Sequence, residues 1–154
     1  MDTKDTITLI GIIVSLIIGS VGLLISLHNS KKTIFINTVT SSRIKWIDTV
    51  RNTIAEYCGL SFQIFQSTTA EKLIKIDKMQ QLRFLLKLQL NRSADVDSSI
   101  ITSVDSIAIY IYDDNRVRIE AEINNLINSS QELLKKEWER VKLESKKGDL
   151  PKKD

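Results

Sequence analysis

The stretch TITLIGIIVSLIIGSVGLLIS, residues 6–26, decides how the rest of the chain is read. It is apolar, yet it holds Gly11, Gly19 and Gly22, three of the five glycines in 154 residues. From residue 6 to residue 30 there is no Asp, Glu, Lys or Arg. A helix over residues 6–27 is about 33 Å long at about 1.5 Å per residue. That crosses a hydrocarbon core about 30 Å thick with slight tilt. A cleaved secretory signal is the competing reading. Its positive leader is missing, since MDTKD holds one lysine against two aspartates. The apolar run is also longer than a signal core, and no A-x-A-like site follows it. The stretch therefore predicts an uncleaved single-pass anchor, residues 1–30. Flanking cations orient it: Lys4 precedes it, whereas Lys31, Lys32, Arg43 and Lys45 follow. The expected topology is N-terminus outside and residues 28–154 in the cytoplasm.

Small residues fall on one side of this helix. Gly11, Ser15, Gly19, Gly22 and Ser26 are spaced 4, 4, 3, 4, within an arc of roughly 80° at about 100° per residue. Thr8 shares the arc. The rest of the circumference is almost wholly Ile, Leu and Val, with Ser20 the exception. Lipid offers no hydrophobic drive for helices to pair, so association needs close backbone approach, which small residues allow. The row predicts self-association, with Ser15 and Ser26 facing either a narrow pore or their own backbone. Membrane helices also tolerate glycine for no such reason. His28, the one histidine, sits at the cytoplasmic mouth, as a titratable gate or an ordinary interfacial residue.

Beyond the anchor the sequence reads as all-α. The one proline is Pro151, and no glycine occurs from residue 60 to residue 147, so helix breakers are scarce. Ile36, Val39, Ile47, Val50, Ile54, Tyr57 and Ile64 recur at helical steps and predict a first helix over residues 31–65, either continuous with the membrane helix or separate from it. Thr68 and Glu71 form a capping box that opens a second helix to about Leu90, and NRSAD is a turn. Residues 97–112 are ambiguous, because SIAIYIY alternates like a strand. A lone strand would leave its edges unpaired, so a helix is expected. Residues 116–128 and 131–147 read as two further helices, and residues 148–154 as a loose tail. The expected architecture is one N-terminal transmembrane helix and a cytoplasmic helical ligand-binding domain, residues 31–147, in an oligomer.

Charge is unevenly spread. Residues 31–92 hold 11 Lys/Arg against 4 Asp/Glu, a net of +7, and residues 93–130 hold 2 against 7, a net of −5. Lys72, Lys75, Arg83 and Lys87 share roughly 120° of one helix face. Arg43, Lys45 and Arg51 cluster around Trp46. Cations with an interleaved aromatic are how single-stranded nucleic acid is held. Anionic headgroups, a plain solvated face, or Trp46 as a packing residue are the other readings. Nothing suggests an enzyme. There is one histidine, one cysteine (Cys58), no glycine-rich phosphate loop and no H-E-x-x-H, so no catalytic residue, metal or cofactor is expected. A lone cysteine also suits a reducing interior.

Three segments carry a resemblance: SSRIKWIDTVRNTIAEYCGL, SIAIYIYDDNRVRIEAEINNLI and QELLKKEWERVK. They resemble a group of small bacterial proteins with one N-terminal membrane helix, an R-I-x-W-I-x-x-x-R-x-x-x-A-E segment and a terminal L-K-x-E-W-E-R-V-K. Arg43, Ile44, Trp46, Ile47, Arg51, Ala55 and Glu56 match the first motif, and Leu134, Lys135 and residues 137–142 the last. The group's central N-P is replaced by Asp113 and Asp114. Within this group the chain is similar to the membrane effectors of Hailong anti-phage defence. That resemblance implies a homo-oligomeric channel in the bacterial inner membrane. A partner nucleotidyltransferase makes single-stranded DNA oligomers that hold the channel shut, and loss of the DNA depolarises the cell. Two other expectations stand beside it. One is a membrane-anchored adaptor whose amphipathic helix over 31–65 docks a protein partner. The other is a holin-like toxin that damages the membrane.

Overall fold

A computed structural model describes residues 3–147. All described secondary structure is helical: α1 (Thr3–Phe35), α2 (Ser41–Gln63), α3 (Thr69–Gln89), α4 (Asp95–Tyr112) and α5 (Arg116–Lys147). The expected tail, 148–154, lies outside the described residues. The described residues divide into two compact units, residues 3–42 with 143–147, and residues 43–142.

Among the described residues one helix is long and apolar enough to cross a membrane; its apolar window lies in α1, in the first unit, and none of that window is buried. Lys32 Nζ donates to the Lys146 carbonyl at 3.3 Å. The helix expected over 31–65 is present: helix runs unbroken from the apolar segment to residue 66, with one irregularity. Residues 36–40, INTVT, form a π-helical turn, marked by the Ser41 N–H bonding the Ile36 carbonyl five residues back. Four of its five residues are β-branched, which crowds an α-helical turn. The Thr40 side chain is buried, and its Oγ1 has no hydrogen-bond partner.

The second unit holds one apolar core drawn from α2 to α5. The capping box at the head of α3 is present: Glu71 Oε2 accepts from the Thr68 N–H at 3.2 Å and from the Thr68 hydroxyl at 3.0 Å. These bonds hold the Glu71 carboxyl below its usual range. The ambiguous segment 97–112 is helical. Its Ile100, Val104, Ile107, Ala108 and Ile111 recur at three- and four-residue steps and are all buried, so burial along one helical stripe overrides β propensity. α4 ends at the Asp113–Asp114 pair, with Asp114 in the left-handed region at φ 53°. Asn115 Oδ1 then accepts the Arg118 N–H at 3.2 Å, as an N-cap does.

The two helices expected over 116–128 and 131–147 are corrected to one, α5, Arg116–Lys147. Ser129 and Ser130 do not break it. The Ser130 side chain is buried and its hydroxyl donates to the Leu126 carbonyl at 2.5 Å, which satisfies the group inside the helix. The centre of the core is Tyr57, fully buried, whose hydroxyl donates to the Val104 carbonyl at 2.7 Å. Burial holds its phenol well above the ordinary tyrosine range.

Candidate functional site

The face predicted on the anchor is open. A Cβ built at Gly11, Gly19 or Gly22 meets nothing within 4 Å, so nothing within the chain itself requires glycine there. Ser15 donates to the Gly11 carbonyl at 2.9 Å, Thr8 to the Lys4 carbonyl at 3.0 Å and Ser20 to the Leu16 carbonyl at 2.8 Å. Their hydroxyls thus bond their own helix, which satisfies them in an apolar medium. Ser26 and His28 are exposed. The face extends further than its glycines. A shallow groove is lined by Gly22, Ser26, Asn29, Ser30 and Thr33, with Ile25 and Ile34 at its edges. At about 100° per residue these continue the same side of the helix for two more turns. Asn29 and Thr33 were missed because the apolar run ends before them. The spacing 22, 26, 29, 33 was the available signal.

The eight polyanion candidates fall into different environments. Arg43 Nη1 donates to Glu137 Oε2 at 2.7 Å, and both side chains are mostly buried (20% and 15% exposed). This pair ties α2 to α5. Trp46 packs against the core and its indole N–H donates to the Gln89 carbonyl at 3.2 Å, which ties α2 to the end of α3. Trp46 is therefore held as a packing residue. Lys45 is exposed, and Arg51 is exposed with a local ion pair to Asp48 at 2.6 Å.

On α3 the expected strip is partly neutralised from within. Asp105 of α4 accepts from Arg83 Nε at 2.7 Å and from Lys87 Nζ at 2.9 Å. Partial burial pushes the Asp105 carboxyl up, but the hydrogen bonds from Lys87 and Arg83 outweigh it and hold the group below its usual range. Lys72 lies 3.5 Å from Asp114 and over the Phe65 ring at 5.9 Å. Lys75 Nζ donates to the Ser67 hydroxyl at 2.8 Å. Sequence spacing put these four cations on one face. It gave no sign of Asp105, which comes from another helix.

Cys58 is half-buried, and burial pushes its thiol up to about 11. It lines an apolar slot between α2 and α5 with Ile54, Ala55, Ile127 and Leu134. A second groove, between α4 and α5, is lined by polar residues. Ser103 donates to Glu122 at 2.7 Å inside it. Comparison with protein-family models, curated proteins and solved structures finds no match to this chain.

Proposed function

We propose that the chain is the oligomeric membrane effector of a bacterial anti-phage system. In this reading α1 helices assemble through their small-residue face in the inner membrane, with the N-terminus outside and the helical domain in the cytoplasm. They form an ion channel that a bound polyanion, a single-stranded DNA oligomer, holds closed. Loss of the DNA opens it and depolarises the cell. The single observation that carries the reading is the open face from Gly11 to Thr33 on a fully exposed apolar helix, followed by a segment with a net charge of +7. The DNA and a partner nucleotidyltransferase that makes it rest on the resemblance to Hailong effectors.

The ion pairs refine which cations do the binding. Arg83 and Lys87 reach a phosphate only by giving up Asp105. First contact therefore falls to exposed Lys45 and to Arg51 and Lys72, whose ion-pair partners Asp48 and Asp114 are exposed and weakly held, with Lys75 bound by the Ser67 hydroxyl beside them. Bound polyanion screens repulsion between these cations on neighbouring subunits and favours the closed arrangement. Its removal shifts the population to the open one. Purified protein in a planar bilayer conducts ions, and a short single-stranded DNA added on the cytoplasmic side suppresses the current. DNA affinity falls steeply as salt rises, because counterions are released on binding. A bilayer that stays silent with and without DNA contradicts the channel. Binding that ignores salt contradicts the electrostatic mechanism.

A further inference from the structure

In the first unit the last turn of α5 is tied to α1 just past the apolar run. Lys32 Nζ donates to the Lys146 carbonyl at 3.3 Å. That carbonyl is among the last four of α5, which lack a partner within the helix, and a cation there also meets the negative end of the helix dipole. Lys31 and Lys32 lie four and five residues beyond Leu27, about 6–8 Å at about 1.5 Å per residue. The headgroup layer is about 5–8 Å thick on each side of the hydrocarbon core. With residues 6–27 across that core, both lysines stand among the headgroups, and Lys32 holds the end of α5 beside them. The charge displayed there has one sign. Residues 28–42 and 143–147 hold four lysines and one carboxylate, Glu144, and Glu144 is fully buried. Lys31 and Lys146 are exposed, and among the described residues no carboxylate pairs with either.

We propose that Lys31 and Lys146, positioned by Lys32, bind the phosphate of an anionic phospholipid in the cytoplasmic leaflet. The proposal rests on the anchored reading above, with residues 28–154 inside, and it concerns cations outside the eight polyanion candidates. Three observations select a lipid as the ligand. The first is depth: these ammoniums stand where lipid phosphates are already crowded, and juxtamembrane lysines are drawn to an anionic leaflet. The second is direction. At about 100° per residue, His28, Lys31 and Lys32 share roughly 100° of α1, centred about 150° from the row Gly11, Ser15, Gly19, Gly22 and Ser26. Helices that meet along the small-residue row therefore keep Lys31 toward the surrounding lipid. The third is what lies beneath. Ile17, Val21 and Leu24 fall on the same side as Lys31, one turn after another toward the bilayer centre, and all three are exposed. They offer an apolar track for the acyl chains of the lipid whose phosphate the lysines hold.

The test uses the full chain in a mild detergent, supplied with equal amounts of phosphatidylglycerol and phosphatidylcholine and read by native mass spectrometry. The parent retains phosphatidylglycerol in preference. Lys31→Ala and Lys146→Ala each lower its phosphatidylglycerol affinity about fivefold, and the double variant lowers it about thirtyfold. Phosphatidylcholine retention and helix content by circular dichroism stay unchanged. Lys78→Ala, which removes an exposed charge from the second unit, leaves phosphatidylglycerol retention as it was. Equal retention of the two lipids by the parent, or a double variant that matches the parent, overturns the site. Displacement of the lipid by inorganic phosphate or by oligothymidylate would make these lysines a general phosphate site and overturns the lipid assignment. Preferential, lysine-dependent retention in a protein that never conducts supports the site and overturns the channel alone. A protein that stays dispersed without detergent and retains neither lipid overturns both the site and the membrane anchor.

Discussion

Arg43 Nη1 lies 2.7 Å from Glu137 Oε2, and these two residues belong to the two motifs that carry the family resemblance. The R-I-x-W-I segment and the L-K-x-E-W-E-R segment, 94 residues apart, are thus in contact. Trp46 of the first motif adds its bond to the Gln89 carbonyl. Arg43 and Trp46 thus tie α2 to α5 and to the end of α3. Removing one partner leaves the other charge partly buried, so Arg43→Gln and Glu137→Gln each cost about 1–3 kcal/mol. The double variant costs less than the sum of the two. Thermal unfolding in detergent measures this cycle. Strict additivity would contradict a direct pair.

Asp105 gives a pH signature. Its carboxyl is held below its ordinary value when folded, so its stabilising contribution is present above the unfolded value near about 4 and is lost as pH falls through the folded value. Asp105→Asn should lower the melting temperature near neutral pH, and the gap from the parent protein should close below about pH 4. The same variant releases Arg83 and Lys87 from their carboxylate, so its affinity for single-stranded DNA should rise about threefold to tenfold, as expected for about 0.7–1.4 kcal/mol. An unchanged affinity, read by fluorescence anisotropy at fixed salt, would remove those two cations from the binding surface.

Thr40 tests the π-helical turn. Its hydroxyl is buried and unpartnered, a costly state for a polar group. Thr40→Val keeps the shape and removes the unmet bond. The melting temperature should hold or rise by a few degrees. A loss equivalent to more than about 1 kcal/mol would show that the hydroxyl has a partner in the assembled protein.

Cys58 should be slow to alkylate. Burial pushes its thiol up to about 11, so the thiolate fraction at pH 7 is about one in ten thousand. Iodoacetamide labelling followed by intact mass should lag a free thiol at least about tenfold and catch up once denaturant opens the slot. Fast labelling of the folded protein would contradict this burial.

Much of the fold was legible because it rests on local chemistry. The uncharged run after Asp5, the Thr68–Glu71 capping box and the absence of proline and glycine each act within a few residues. The helical state of SIAIYIY was harder, since Ile107, Ile109 and Ile111 alternate as in a strand. It was settled by their neighbours: Ile100, Val104 and Ala108 complete a buried helical stripe. The π turn was not legible, because β-branched runs such as INTVT also occur in ordinary α-helices. Ser129–Ser130 read as a break because Ser130's bond to Leu126 exists only inside the helix it stabilises. Of the candidate site, the glycine face was visible from spacing alone. The pairing of Arg83 and Lys87 with Asp105 was not, since the contact is made 18 to 22 residues away across two helices.

In the proposed assembly, membrane helices of separate copies meet along the side bearing Gly19 and Gly22. No atom of the same chain would obstruct a side chain at either position, so any consequence of enlarging them arises between molecules. The most direct measurement is the light-scattering mass of the Gly19→Leu/Gly22→Leu protein in detergent, compared with the parent. The parent should be an oligomer and the variant a smaller or monomeric species, with helix content unchanged. An identical oligomeric mass for both proteins would contradict it.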